Sequence, residues 1–507
     1  MLASMSSQQR HTILIGTFLV FLLTISYYQY ATTSTKHRSS LYSPPETHIQ
    51  EDDLLLTSHS ESTISSVTTT DQTFTSNIKI KRQEPCDKGD IHWLASDRQY
   101  WDGWKTKSFF LQPDGNFTLD NVFIEQNHGL CIVVLLGPVP AASKIKVVSH
   151  YAPPDIITMT ATGNDYSIPI TLQQYPKQSN AYYANVYFRH SDSYVLKSTT
   201  EYRSHFWETP IQHRYQPFSF DSSNAAIVTP ATVSPQTTSL PSCDGQQQSL
   251  EGSWRNDTNI HEFIPDHCDM TYTRQDGLRC LRQKTIHVWA DANMRRNLKT
   301  LASPNWCDMN SDPEATCICN DDDEDPDHAL YPWAADHNTP LVLGDNSIHY
   351  SSVNSITLQD WRPEIKRRVD EHLPLADVVI VGVGNDDIAL SRMKPYQFAQ
   401  SFSDFLHHLL NTAYPHPHQT IIIRTPQFFG TGQHYDTSWN AGRSRAFANA
   451  VRELVDPQQH PRLKLWDTHQ LGLEHNTCRY HGTIYTKRNV IDVENQALFG
   501  ILCNGLS

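Results

Sequence analysis

The residues with the most chemical content lie at the ends of four apolar runs. Ala290-Asp291-Ala292 follows the run 286–289, and Gly384-Asn385-Asp386 follows 378–383. Arg424-Thr425 closes 420–424, while Asp467 and His469 follow 463–466. Carboxylates, an amide and an imidazole are the groups that carry protons and stabilise an oxyanion in acyl transfer. Asp291 could attack as a carboxylate, and Asp467, His469 and His481 could act as proton carriers or their orienters. A plainer reading stands beside this one. Strand ends favour turn residues, Asp and Asn cap the helix that follows, and the chain holds 26 histidines, most of which must be ordinary.

Such groups need a frame that gathers them. Apolar runs at 286–289, 378–383, 420–424 and 463–466 alternate with helical patterns at 293–301, 395–410, 441–455 and 489–502. That alternation predicts βαβ units and a three-layer α/β/α domain with a mostly parallel sheet over residues 243–507. Right-handed crossovers then bring the four strand ends to one edge. Residues 85–218 differ: short β-rich runs at 109–111, 130–136, 144–148, 156–160, 168–172, 182–188 and 194–198 predict an all-β, immunoglobulin-like sandwich. Residues 219–242, rich in Pro, Ser and Thr, read as a linker.

The amino terminus places the chain in a compartment. An apolar stretch within residues 12–30 ends in Tyr27, Tyr28 and Tyr30, as an interfacial aromatic belt does. No good cleavage site follows it, so it reads as an uncleaved signal anchor behind a short cytoplasmic tail, residues 1–11. Residues 31–84 are Ser/Thr-rich and too polar to fold, and read as a stalk. The Lys81-Arg82 pair that ends it offers a processing site for a shed or cell-surface form. The expected protein is thus single-pass type II, in the Golgi or another secretory membrane, with a luminal ectodomain. Ten cysteines, an even number, fit disulfides in that compartment. The pair Cys478–Cys503 is expected because it would staple the last helix. Asn116 and Asn256 begin glycosylation sequons. A net charge of −14 argues against nucleic acid as a partner.

Several motifs also carry a resemblance. Thr285-Ile-His-Val-Trp-Ala-Asp-Ala-Asn-Met-Arg295 resembles the Gly-Asp-Ser-x-x-Arg nucleophile turn of the SGNH/GDSL esterases. It is closer to that turn in the PC-esterase-like families, the trichome-birefringence-like proteins and the NXPE family. Gly252-Ser-Trp254, Ile264-Pro265 with Cys268, Cys280-Leu281, Trp306-Cys307 and the block from Cys478 to Cys503 follow in the family's order. The resemblance implies an SGNH-like fold, an immunoglobulin- or filamin-like domain before it, and a carbohydrate or glycoprotein partner. It also implies where the triad should lie. The serine position holds Ala292, the aspartate position His481 and the histidine position Ile484, while Arg295 keeps the family arginine and Asn385 the oxyanion donor. Three coupled losses imply a pseudoenzyme, with no cofactor and no metal. An active O-acetyl esterase or acetyltransferase using shifted residues is the alternative.

Two further motifs are decoys. Gly344-Asp-Asn-Ser347 imitates a nucleophile turn but continues extended, and reads as a β-turn. Asp321-Asp-Asp-Glu-Asp325 contains the Asp-x-Asp of metal-dependent glycosyltransferases, a third reading of the chain. It follows no hydrophobic strand, so it reads as a solvated acidic loop.

Overall fold

The structure is a computed structural model. It describes residues 84–505 apart from 89–105, 113, 137–154, 176–180, 204–217, 232–239, 244–249, 257–261, 303–340, 344–345, 372–373, 392, 431–440, 458, 474–476 and 481–482. The expected anchor, the stalk to residue 83, the run at 144–148, the acidic run Asp321–Asp325 and His481 lie outside the described residues. Among the described residues no helix is long and apolar enough to cross a membrane. All of them belong to one unit, Ile80–Ser507.

Among the described residues, twelve strands precede the first α-helix: β1 (Thr106–Leu111), β2 (Phe117–Thr118), β3 (Val122–Glu125), β4 (Gly129–Leu136), β5 (Asp155–Thr162), β6 (Tyr166–Ile170), β7 (Gln173–Gln174), β8 (Ala181–Tyr187), β9 (Ser193–Arg203), β10 (Phe218–Thr229), β11 (Gly252–Arg255) and β12 (Phe263–Pro265). They form two sheets, β2-β1-β4-β8-β7 and β12-β11-β6-β5-β9-β10-β3. The period-two alternation of side chains builds the core between them. Ile132, Val134, Tyr182 and Val186 of the first sheet pack with Ile157, Met159, Leu196 and Val228 of the second. The outer face of the first sheet carries Phe109, Val133 and Leu135. A short helical turn, Pro85–Lys88, is tied to that face by the Cys86–Cys131 disulfide.

Two boundaries differ from the sequence reading. Residues 219–229, read as linker, continue β10, which pairs with β9 and β3. Gly252-Ser-Trp254, read as the start of the α/β domain, is β11 and pairs with β6 of the sandwich. Trp254 explains why that strand matters to both halves. It is buried, and its indole N–H donates to the Leu471 carbonyl at 2.9 Å.

Beyond Cys243, which is bonded to Cys268, the elements alternate. They are α1 (Arg274–Cys280), β13 (Thr285–Ala290), α2 (Ala292–Ala302), β14 (Leu341–Leu343), β15 (Asn346–Ser352), α3 (Arg362–Glu371), β16 (Val378–Gly382), α4 (Asn385–Leu390), α5 (Pro395–His408), β17 (Thr420–Arg424), α6 (Ala441–Leu454), β18 (Leu463–Trp466), β19 (Thr477–Tyr480), β20 (Thr483–Thr486) and α7 (Arg488–Gly505). The main sheet runs β14-β15-β13-β16-β17-β18 and is parallel except for the β14–β15 hairpin. Val378 and Ile380 face one layer with Met294, Leu298 and Leu498; Val379 and Val381 face the other with Phe398, Phe402 and Phe447. This is a three-layer α/β unit whose parallel strands follow the 2-1-3-4-5 order of a doubly wound sheet.

Asn346 pairs with Leu343 in the β14–β15 hairpin, so the segment after the decoy motif is extended and opens no helix; Gly344-Asp345 themselves lie outside the described residues. The disulfide expectation is corrected: Cys503 bonds Cys280, not Cys478. The last helix is stapled, but to α1, which lies against it so closely that a Cβ on Gly277 would fall 2.0 Å from Phe499 Cδ1. Of the two sequons, Asn116 is exposed, whereas Asn256 is partly buried and its amide donates to the Gly163 carbonyl at 3.1 Å.

Candidate functional site

The switch point of the sheet lies between β13 and β16, where the chain leaves neighbouring strands for helices. Ligands gather at such points in open α/β sheets. Here β13 ends in Asp291 and β16 leads to Asn385. The two strands approach closely. A Cβ on Gly382 would sit 2.8 Å from Met294, and Gly384 turns the chain at a φ of +116°. A side chain at either position would push α2 or the turn away.

Asp291 is buried and fully occupied. Its Oδ1 accepts the backbone N–H groups of Asn293 (3.1 Å) and Met294 (3.0 Å), which caps α2. Its Oδ2 accepts an N–H of the Asn385 amide at 2.8 Å. Burial raises its pKa, opposed by the Met294 N–H, the Arg424 charge and Asn385. A carboxyl in that setting is a poor attacking group. Asn385 in turn accepts the Gln427 N–H at 3.0 Å, so its amide bridges Asp291 and the segment after β17. Ala292, the next residue, is partly exposed and begins α2. Arg295 is also partly exposed, and its N–H bonds the Asp291 carbonyl within the first helical turn.

Asp386 is the one acidic residue here that is not sealed in. It is half-buried beside the switch point. Burial first, then the Asp291 and Asp387 carboxylates, push its pKa up to about 7. Asp387 has a different job: it accepts the Ser355 hydroxyl at 2.7 Å and the Ile356 and Thr357 N–H groups, pinning the loop after β15.

Beneath the edge runs a buried ion pair. Arg424 Nη2 meets Glu494 at 2.9 and 3.0 Å, with both side chains almost wholly buried. Glu494 also accepts Asn297 Nδ2 at 2.7 Å. The pair ties β17, α2 and α7 together, so Arg424 serves the frame and not a ligand.

A second cluster sits past β18. Asp467 accepts two bonds from Arg452, at 2.6 and 3.0 Å, and the Thr425 hydroxyl at 3.1 Å. It is therefore turned to α6, not to His469. His469 is buried against Phe428. Burial, then Arg452 and Arg445, hold its pKa well below the usual imidazole range, so it is neutral. Its Nε2 lies 3.3 Å from Ser444 Oγ. Sequence reading missed Ser444, which sits in a helix with no motif around it. This serine and histidine have the residue types of a nucleophile and its base. Their bonding differs, because the Ser444 hydroxyl donates to the Ala441 carbonyl at 3.0 Å and accepts the Phe429 N–H at 3.1 Å. The Ser444 hydroxyl thus already has two backbone partners, and the direction of its contact with His469 follows the imidazole tautomer.

The structure thus joins Asp291 to Asn385 and sets Ala292 and Arg295 beside them. It gathers Asp467 and His469 into a separate group around Thr425. Ile484 lies in β20, which pairs with β19.

No protein-family model matches the chain, and no curated protein matches it. Solved structures similar to it include a lipase/acylhydrolase from Enterococcus faecalis, at 10% identity and TM-score 0.26 over 43% of this chain and 94% of that one. A carbohydrate acetylesterase from Sinorhizobium meliloti aligns at 14% identity and TM-score 0.26, over 43% and 97%. A family two carbohydrate esterase from Cellvibrio japonicus aligns at 10% identity and TM-score 0.26, over 80% and 99%. At such identities and scores the class of the fold rests on the strand order and layers described above.

Proposed function

We propose that this chain is a single-pass type II membrane protein of the secretory pathway. Its SGNH/PC-esterase-like α/β unit has lost ester chemistry and serves to bind a glycan or glycoprotein. One observation carries this reading. At the switch point both oxygens of Asp291 are bonded to the protein itself, and the residue after it, which the resemblance puts at the nucleophile position, is Ala292. Loss of a serine nucleophile costs a hydrolase roughly a millionfold in turnover. Asp291, Asn385 and His469 are held by α2, Gln427 and Ser444, as structural groups are.

The second reading is an active esterase or acetyltransferase using shifted residues, which the Ser444–His469 contact favours. Hydrolysis of para-nitrophenyl acetate by the purified full-length chain separates them. The pseudoenzyme reading expects wild type, His469→Ala and His481→Ala to share the same near-background rate. A rate above background that falls in either variant would establish the second reading.

A further inference from the structure

A cleft of about 890 Å³ opens at the edge of the sandwich, on a part of the molecule the esterase-like reading does not use. It lies where both sheets end, since β2 is the last strand of one sheet and β3 the last of the other. Its walls are the β1–β2 turn, β3, and the turn into β4.

The walls are preformed. The Cys86–Cys131 disulfide fixes the segment at Pro85. Gly129 packs so tightly that a Cβ there would lie 2.5 Å from Pro85 Cγ and 2.7 Å from the Tyr187 ring. Tyr187 is held in turn by its hydroxyl, which donates to Glu84 at 2.8 Å. Asn127 adopts a φ of 67° and sets the turn. A cleft of this size that is rigid before binding matches what small-molecule sites require.

Its lining is specific. Phe123 lies on the edge strand with 71% of its surface exposed. Around it stand Gln112, Asp114, Glu125 and His128, and among the described residues no Lys or Arg lines the cleft. Asp114 is oriented by Asn116, whose backbone N–H and side-chain amide both donate to it, at 3.0 and 2.9 Å. Those bonds lower its pKa and keep it an acceptor. An aromatic face receives apolar C–H surface, while ionised and amide oxygens at its rim accept hydroxyl groups. The acidic lining repels phosphates, sulfates and carboxylated sugars.

We propose that this cleft binds a neutral oligosaccharide, with Phe123 as the platform under a sugar ring and Asp114 as an acceptor of its hydroxyls. Such binding is independent of whether the α/β unit turns over esters.

The test uses the full chain carrying Thr118→Ala, which removes the Asn116 sequon so that no attached glycan competes. Cellohexaose, mannohexaose, chitohexaose, the cationic glucosamine hexamer and heparin are titrated calorimetrically. At least one neutral hexasaccharide is expected to bind, and Phe123→Ala and Asp114→Ala are each expected to weaken it about tenfold or more. Both side chains are exposed, so folding is retained and is checked by an unchanged melting transition. Failure of all three neutral sugars to bind, binding confined to heparin or to the glucosamine hexamer, or an affinity indifferent to Phe123→Ala would overturn the assignment.

Discussion

Among the described residues, carboxylates gather at the switch point of the α/β sheet and at the open edge of the sandwich. Their chemistry is the same and their surroundings are opposite. Asp291 and Glu494 are buried and bonded to helix N–H groups, to Asn385, to Asn297 and to Arg424. Asp114 stands in solvent, oriented by its turn and open on its outer side. A carboxylate whose bonds are all internal holds elements together. One that keeps a free side can meet a ligand. The family-like motif lies at the first place, and the open lining lies at the second.

The contrast is sharpest for stability. Glu494→Ala strands Arg424 in the interior and is expected to cost about 3–5 kcal/mol in urea unfolding. Replacing both partners with methionine should recover most of that loss. Asp114→Ala should move stability by no more than about 0.5 kcal/mol. Equal costs for the two sites would break the comparison.

A smaller effect is expected at the turn itself. Asp291→Ala removes the cap of α2 and leaves the Asn385 amide without its acceptor, at about 2 kcal/mol. The reading of Asp291 as a structural group predicts this loss together with an unchanged background rate on para-nitrophenyl acetate. A stable variant with altered turnover would reverse it.

Asp386 gives a prediction in pH. Its folded pKa is raised from 3.8 to about 7, so between those values the native state holds a proton the unfolded state has lost. Stability contributed by this group is therefore full below pH 4 and falls as pH rises through about 7. Asp386→Asn should be more stable than wild type near pH 8, by about 1 kcal/mol after allowing for solvent at a half-buried group, and the gap should close near pH 4. Parallel stability curves for the two proteins would contradict the burial of this carboxyl beside Asp291. The smallest effect belongs to Phe123→Ala, which should change unfolding free energy by under about 0.5 kcal/mol while weakening sugar binding.

How far sequence reached follows from what each residue type reveals. The buried parallel strands are near-continuous apolar runs, so 378–383 and 420–424 matched β16 and β17 to within a residue. β15 escaped because Ser, His and Asn dominate it, and only Ile348 and Tyr350 face the core. Parallel pairing of β13, β16, β17 and β18 puts their ends on one edge of the sheet, but the roles of the residues there were not readable. Whether Asp291 caps or attacks depends on which N–H groups reach it. Ser444 looked like any helical serine until folding set it beside His469. The Arg424–Glu494 pair spans 70 residues and carries no local signal. Cys478 was expected to pair with Cys503 because that bond would staple the last helix, whereas the packing of α1 on α7 brings Cys280 there instead.

The central claim is that no side chain of this fold serves as an ester nucleophile. Incubation of the native full-length protein with a fluorophosphonate probe, followed by peptide mass spectrometry, tests it directly. The account predicts no phosphonylated serine at a level above the heat-denatured control. An adduct on Ser444 that disappears in His469→Ala would contradict it and make this pair the catalytic centre.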